Sequence, residues 1–154
     1  MTGAPGRNGA ALGAALLLAS VLSVGTVCRA GAQPAAQDSL LAVFRESVPD
    51  REILLTVVGD CNADNVEDLV IIYRESENEN HMVAVYSDGG AFRVSAWVRA
   101  PLENYRMQWR DIDEVPPVEL LVSGQKGIYI GFAVFRFVKG EWISLFGEGM
   151  EGCC

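Results

Sequence analysis

The sequence predicts a mostly β protein with one N-terminal helix, and three observations support this. After residue 50, short runs rich in Val, Ile, Tyr, Phe and Trp alternate with Asp, Asn, Gly and Pro, as in an antiparallel meander. Two stretches repeat the same order of features. The chain has 154 residues, about the length of one domain. We therefore expect two four-stranded antiparallel blade-like repeats, arranged as a meander, after one helix.

Residues 1–32 have the layout of a secretory signal peptide. Arg7 precedes an apolar stretch at residues 10–27, and the whole segment lacks Asp and Glu. Residues 30–32 are all small, which suits cleavage by signal peptidase after residue 32. We therefore expect an exported protein, either periplasmic or secreted.

Two alternatives for this leader stay open. An uncleaved apolar stretch would anchor the chain in a membrane, and acylation of Cys28 would make it a lipoprotein. Without residues 1–32 the chain keeps ten basic and twenty acidic side chains. Because such a surface repels phosphate backbones, we expect no nucleic-acid partner and look for the partner among envelope proteins.

Residues 33–50 are predicted to form a short linker and one helix. Asp38 or Ser39 is suited to cap the helix, because its side-chain oxygen can accept from a free backbone N–H. Apolar residues at helical spacing continue to about Ser47, and Pro49 ends the helix.

The segment 51–146 is predicted to hold eight strands. Their expected positions are about 53–58, 69–73, 82–86, 92–97, 105–109, 118–122, 128–137 and 141–146. Asp68-Leu69-Val70 precedes Glu119-Leu120-Leu121 by 51 residues, so the strands fall into two similar groups of four. Such a unit has the size of a propeller blade, and two blades cannot close a propeller. We expect two packed sheets or one long twisted meander, with the helix over an open face or edge.

The loop after the first strand carries an oxygen-bearing side chain at every second position and a final carboxylate. Calcium ions prefer such an oxygen cage. The loop resembles that of FG-GAP or integrin-like β-propeller repeats. The resemblance implies a Ca²⁺ site made of four side chains and one backbone carbonyl, those of Asp60, Asn62, Asp64, Asp68 and, for the carbonyl, Val66. Asn65 stands where the family has Gly, and Asn also tolerates a left-handed backbone.

The second copy of this loop, residues 111–119, keeps acids at its first, third and ninth positions but lacks the ligand at the fifth. Metal binding is therefore not expected there. For both loops an alternative stays open, in which the Asp and Asn side chains bond nearby backbone N–H groups and no ion is present.

Residues 147–154 contain three glycines and end in Cys153-Cys154, which predicts a flexible tail bearing two thiols. A disulfide between adjacent cysteines closes a strained ring, and strain makes a disulfide easy to reduce. The pair thus suits thiol exchange, or the binding of a soft metal ion. Cys61 is a candidate resolving thiol, third ligand or disulfide partner.

The leader, the chain length and the Cys153-Cys154 end are similar to those of the SaoC-type family of small exported Cys-Cys-COOH (seleno)proteins. The resemblance implies a redox-active or soft-ligand terminus that works beside a transport or thioredoxin-like system. We accordingly expect an exported accessory protein with such a tail on a β scaffold. The alternative is a non-catalytic, calcium-stabilised β-repeat module that binds another protein of the cell envelope.

Other catalytic patterns are missing from the sequence, which has no nucleophile elbow, no P-loop and no dinucleotide-binding fingerprint. The single histidine, His81, follows an acidic turn at residues 75–80 and is interpreted as a solvated hairpin tip. A hydrolase based on paired acids is a third, weaker hypothesis. Whether the protein is an enzyme stays open.

Overall fold

The computed structural model describes residues 34–153. The predicted signal peptide, Cys28 and Cys154 lie outside the described residues. No helix in the described part is long and apolar enough to cross a membrane. Its elements are α1 (Pro34–Ser47), β1 (Ile53–Gly59), β2 (Asp68–Ser76), β3 (Glu79–Asp88), β4 (Ala91–Val94), β5 (Val98–Ala100), β6 (Glu103–Arg110), β7 (Glu119–Lys126), β8 (Tyr129–Val138), β9 (Glu141–Glu148) and α2 (Met150–Cys153).

The prediction of a mostly β fold with two antiparallel sheets is confirmed. The first sheet has the order β1-β2-β3-β4, with β5 added beside the beginning of β3. The second sheet has the order β6-β7-β8-β9. All pairings are antiparallel. Each joins two strands that are successive in the sequence, except the pairing of β3 with β5. The meander expected from the alternating apolar runs is therefore present in both repeats.

The predicted strand at 92–97 is wrong, because the chain leaves the sheet after Val94 and returns as β5 at Val98. Ser95 marks the departure: its hydroxyl accepts a hydrogen bond from the N–H of Ala84 at 2.9 Å, replacing a strand partner. Two residues later, Trp97 turns onto the ring of His81. Neither contact has a signal in the alternation of apolar residues.

The helix α1 begins at Pro34, four residues before the predicted cap. Proline suits the first turn of a helix because its missing N–H would have no partner there. The hydroxyl of Ser39 instead donates to the carbonyl of Ala36 at 2.7 Å, inside the helix. The predicted end at Ser47 is confirmed.

Two apolar layers hold the described domain together. Leu40 and Phe44 of α1 are buried against Leu69, Ile71 and their neighbours on the outer face of the first sheet. The other face of that sheet packs on the second sheet through a core of both, whose fully buried members include Val70, Ile72, Ala84, Leu120 and Val122. The expectation that the helix covers an open sheet face is confirmed, and β2 is apolar on both faces because both are covered.

The two sheets stack in one direction, like successive blades. Leu69 and Leu120 are equivalent in the repeat, yet Leu69 lies under α1 and Leu120 lies between the sheets. Neighbouring residues of a strand point to opposite faces of its sheet. Equivalent residues of the two sheets therefore point in the same direction, and the second sheet is related to the first by a shift and not by a flip. The outer face of the second sheet is therefore equivalent to the face of the first sheet that the second sheet covers.

Gly59 shows how closely the two sheets approach. Any side chain at this position would collide with the indole ring of Trp109. The indole N–H of Trp109 donates to the carbonyl of Val58 at 2.9 Å, which joins β6 to β1. A glycine at the end of β1 thus allows the contact that places the first loop beside the second sheet.

Candidate functional site: two acidic loops and the C-terminal cysteine segment

The first acidic loop is ordered by its own side chains. Asp60 accepts hydrogen bonds from the N–H groups of Asp64 at 3.1 Å and Asn65 at 2.8 Å. Asn62 accepts from the N–H of Asp64, and Asp64 accepts from that of Val66. Asn65 has a φ of 65°, so this asparagine does adopt the left-handed backbone that the family's glycine would supply. The oxygens of Asp60, Asn62 and Asp64 are thereby gathered in one loop.

Asp68 closes the loop from inside the domain, where it is fully buried. One carboxylate oxygen accepts from the N–H of Cys61 at 2.9 Å, and the other from that of Ser87 at 3.1 Å. Burial raises the pKa of this carboxyl group, the hydrogen bonds oppose the rise, and the charge of Asp64 adds to it. No basic side chain among the described residues forms an ion pair with Asp60, Asp64 or Asp68.

The second loop has the same hydrogen-bond scheme. Ile112, equivalent to Cys61, donates its N–H to Glu119 at 3.0 Å, just as Cys61 donates to Asp68. Val115 donates its N–H to Asp113 at 3.0 Å, as Asp64 does to Asn62. Glu114, equivalent to Ala63, shares its left-handed backbone with φ of 60°. The repeat inferred from the sequence therefore extends to individual hydrogen bonds.

A guanidinium group fills the centre of the second loop. Asp111, Asp113 and Glu119 bring carboxylate oxygens within 4.8 Å of one another, which is a spacing that could hold a metal ion. Arg136 of β8 already bonds two of them: its Nε lies 2.9 Å from Glu119 Oε1, and Nη2 lies 2.6 Å from Asp113 Oδ2 and also contacts Glu119. The side chain of Glu119 is 1 % exposed. The second loop thus contains its own cation.

The pKa values in this cluster follow from the pairing. Burial disfavours the charge of Glu119, but Arg136 and the N–H of Ile112 outweigh burial and hold the pKa of Glu119 below its usual range. The hydrogen bond from Arg136 likewise lowers the pKa of Asp113. Both acids are ionised and locked to the guanidinium, so neither can serve as the proton donor that a paired-acid hydrolase needs.

The first loop has no counterpart of Arg136. Leu69 pairs with Val85 in the first sheet, and the equivalent Leu120 pairs with Phe135 in the second. Val85 and Phe135 are therefore equivalent, and the residues that follow them, Tyr86 and Arg136, are equivalent too. Tyr86 packs on the ring of Phe137, with centroids 4.9 Å apart. The first loop therefore has no arginine at this position. Among the described residues, the carboxylates of Asp111, Asp113 and Glu119 lie within 4.8 Å of one another, and those of Asp60, Asp64 and Asp68 do not form such a group. The Ca²⁺ site that the family resemblance implies at residues 60–68 stays a prediction.

Cys61 is a free thiol sealed between the sheets, with no exposed surface. Burial, followed by the hydrogen bond to Asp68 and the charge of that carboxylate, raises the pKa of Cys61 far above its usual range. A protonated, inaccessible thiol neither attacks a disulfide nor binds a soft metal ion. Cys61 is therefore a core residue and does not suit the resolving or ligand role considered for it.

The C-terminal segment continues the secondary structure of the domain, with β9 extending to Glu148 and α2 to Cys153. Glu148 still belongs to β9 and pairs with Phe132. The chain then turns at Gly149, whose φ is 70°, and continues as α2. Gly131 and Gly149 allow this approach, because a side chain at either position would collide with the backbone of the other segment. The pairing of β9 with β8 thus determines where α2, which ends at Cys153, leaves the sheet.

A cleft of about 570 Å³ lies beside this segment. Its walls combine apolar side chains, two acids and one cation: Val98, Phe135 and Met150, Glu148 and Glu151, and Arg99. Arg99 is 65 % exposed and also pairs with Glu79 at 3.4 Å. Two residues of α2, Met150 and Glu151, form part of the wall, so Cys153 follows a cleft-lining residue by two positions.

The interpretation of His81 as a solvated hairpin tip is wrong, since the side chain is only 6 % exposed. The imidazole stacks on Trp97 with ring centroids 4.0 Å apart. Its Nε2 lies 3.0 Å from Glu79 and its Nδ1 lies 3.3 Å from the hydroxyl of Tyr73. Both ring nitrogens are thus engaged, and His81 holds the bend between β4 and β5 against the sheet.

Comparisons with known proteins do not assign this chain to a family: no family model matches it, and neither the curated proteins nor the solved structures contain a match.

Proposed function

We propose that this protein is an exported accessory protein that exchanges electrons through the thiols of Cys153 and Cys154. The observation that carries the proposal is the anchoring of the C-terminal segment: β9 and α2 lead the chain along the cleft and end at Cys153. The other described cysteine, Cys61, is buried. Thiol chemistry with an outside molecule therefore falls to the terminal pair.

The exchange step is a dithiol–disulfide reaction with a partner protein. The thiolate of one terminal cysteine attacks a sulfur of the partner's disulfide, and the released partner thiolate takes up a proton. The second terminal cysteine then attacks the mixed disulfide and completes a strained ring between adjacent residues. Two electrons and two protons pass to the partner, whose disulfide becomes two thiols. Strain in the ring favours the reverse reaction, so the pair also serves as an oxidant.

The charge of the cleft defines what the partner must bring. Glu148 and Glu151 oppose thiolate formation nearby, and Arg99 is the one basic residue among the described cleft-lining side chains. We therefore expect a partner of the thioredoxin-like or transport type with a basic surface around its own disulfide. A soft metal ion on the same two sulfurs is the related outcome, since such an ion also compensates the negative charge.

Counting reactive thiols tests this proposal. In folded protein carrying Cys28→Ser, mild reduction should expose two thiols that react with a soluble disulfide reagent, and Cys61 should react only after unfolding. Cys153→Ser combined with Cys154→Ser should abolish the fast reaction, whereas Cys61→Ala, the matched control, should leave it unchanged. A fast reaction that disappears with Cys61, or persists in the double variant, would contradict the proposal. Protection of both thiols by added Zn²⁺ would identify the soft-metal form.

A second role, that of a calcium-stabilised scaffold, is supported by the contrast between the two loops. Arg136 compensates the acids of the second loop, and the equivalent Tyr86 leaves those of the first loop uncompensated. We infer that Ca²⁺ binds Asp60, Asn62, Asp64 and Asp68 together with the carbonyl of Val66. The ion would stiffen the end of β1 against the second sheet, which supports a protein-binding module without requiring chemistry at the ion.

Calorimetric titration tests the calcium site directly. Ca²⁺ should bind the wild-type protein at one site, and Asp64→Asn should weaken the binding at least about tenfold because a charged ligand is lost. Asp88→Asn is the matched control, since Asp88 is an exposed acid whose ion pair in the described domain is with Arg93. Equal affinity in the two variants would place the ion elsewhere.

A further inference from the structure

The outer face of the second sheet is a large apolar surface. Its alternating residues point away from the inter-sheet core, and the register of the four strands aligns them in rows. Ile143, Leu145 and Phe146 of β9 are 44 %, 49 % and 61 % exposed. They adjoin other apolar side chains of this face, among them Phe132, the exposed Ile130 and the buried Val134, and the ion pair of Arg136 with Glu119 lies on the same face. No described element covers this face, and exposed patches of this kind mark interaction sites.

The repeat identifies the kind of cover that is missing. The equivalent face of the first sheet lies beneath another sheet, and exposure differs accordingly: Cys61 is 0 % exposed, and its equivalent Ile112 is 58 % exposed. Ala84 is buried between the sheets, and its equivalent Val134 lies on the outer face but is only 8 % exposed. The outer face is therefore shaped to receive a further β-sheet.

The helix α1 restricts which sheet can take this place. It covers the outer face of the first sheet. The first sheet of a second molecule therefore cannot pack on the exposed face of the second sheet and extend the stack. The free sheet face that a second copy of this chain does offer is the same outer face of its second sheet. Two copies can thus meet face to face in an isologous pair, with helices on the outside.

Charges at the two edges of the face complement each other in such a pair. Arg106 and Arg110 lie on the edge strand β6, on the side opposite to the buried Met107. Glu141 lies on the other edge strand, β9, and points away from the buried Trp142. Glu148 ends the same strand, level with Arg106 through Ser123 and Phe132. None of the four charges forms an ion pair within the part of the chain that is described.

We propose that the protein forms a symmetric dimer through this outer face, with the two-fold axis parallel to the strands. That axis places β6 of one protomer over β9 of the other. Residues that are level across the sheet of one protomer are then also level across the interface. Arg106 then lies near Glu148 of the partner subunit, whereas Arg110 is level with the partner's Ile143 and not with Glu141. The apolar rows fill the centre, as in face-to-face packing of sheets about 10 Å apart.

The size of the face is consistent with a stable contact. Four strands about 4.8 Å apart and about nine residues long give a flat area of roughly 550 Å². Projecting side chains increase the accessible area towards the roughly 800 Å² per partner of a standard protein interface. The proposed contacts exclude the acidic carboxylates of the first loop and the terminal cysteines, although Glu148 also lines the cleft beside the C-terminal segment.

Sedimentation of the full chain tests the dimer. At concentrations up to about 100 μM the wild-type protein should sediment as a dimer, and Arg106→Glu or Glu148→Arg alone should raise the dissociation constant at least about tenfold. The two reversals together should restore most of the affinity, because the pair is re-formed with opposite signs. Arg93→Glu, a reversal outside this face, should leave the affinity unchanged.

Two outcomes would overturn the dimer. The first is a wild-type protein that stays monomeric throughout this concentration range. The second is a dimer that withstands Leu145→Asp, since a charge buried in the apolar contact should dissociate it. Circular dichroism of each variant shows whether a lost dimer reflects a changed interface or an unfolded chain.

Discussion

Replacement of Arg136 by Met should lower the melting temperature by about 10 °C, the largest single effect of any change in the second loop. Arg136 bonds both Asp113 and Glu119, and the side chain of Glu119 is 1 % exposed. Without the guanidinium, a buried carboxylate has no counter-charge, and that situation costs far more than the loss of an exposed ion pair. Thermal unfolding followed by circular dichroism measures the effect.

Arg93→Met is the matched control for this change. Arg93 also pairs with a carboxylate, that of Asp88 at 2.9 Å, but both side chains are more than half exposed. The control should shift the melting temperature by no more than about 2 °C. Equal shifts for the two variants would mean that Arg136 is an ordinary surface residue and that the second loop needs no internal cation.

The same pair predicts a dependence on pH. Because the folded-state pKa of Glu119 lies below the unfolded value of about 4.3, its pairing stabilises the fold fully above that value. The contribution disappears as the pH falls through the lower, folded-state pKa. The difference in melting temperature between wild type and Arg136→Met should therefore be largest near pH 7 and shrink towards pH 3. A difference that stays constant over this range would exclude an ionic origin.

Calcium should raise the melting temperature of the wild-type protein by about 10 °C when its concentration is about 100 times the dissociation constant. A ligand that binds only the folded state stabilises it by about 2.7 kcal/mol at this ratio, and a domain of this size gains several degrees per kcal/mol. The ion would compensate the buried Asp68 carboxylate, which has no ion pair within the described chain. Thermal unfolding with Ca²⁺ or with a chelator measures it.

Asp60→Asn should reduce this calcium-dependent gain to a few degrees, and Asp111→Asn should leave it intact. The two residues are equivalent in the repeat, so the comparison separates the first loop from the second. If Mg²⁺ at the same concentration produced the whole effect, the site would be a general cation site, because Mg²⁺ demands a smaller and more regular set of ligands. If no divalent ion had any effect, the alternative of an ion-free turn would hold for the first loop as well.

The order of strands and the repeat were predictable from the sequence, because a meander depends on local alternation and on short turns. The equivalence of Asp68 and Glu119 was visible in the spacing, and the structure extends it to matching hydrogen bonds from Cys61 and Ile112. Positions that depend on contacts between distant segments were not predictable. His81 is buried by Trp97, which lies sixteen residues later in a bend that has no apolar pattern.

The role of Arg136 was missed for a similar reason. Its partner Glu119 lies seventeen residues earlier, and only the register of β7 and β8 brings the two together. The sequence nevertheless indicated a cation at the second loop. This loop keeps its acids and lacks the fifth ligand, and the second strand after it, β8, carries an arginine. The secondary structure of the C-terminal segment could not be foreseen from its glycines. Gly131 and Gly149 allow two backbones to approach closely. From composition alone, glycines in this segment indicate only flexibility.

The mass of the C-terminal peptide after equilibration in a redox buffer tests the central claim most directly. The folded protein is incubated with defined ratios of reduced and oxidised glutathione, acid-quenched, digested and analysed by mass spectrometry. We predict that the peptide containing Cys153 and Cys154 converts, as the buffer becomes more oxidising, to a form lighter by two hydrogen atoms or to a glutathione adduct, while Cys61 stays reduced. A peptide that keeps both thiols at every ratio at which a control dithiol is oxidised would contradict the claim.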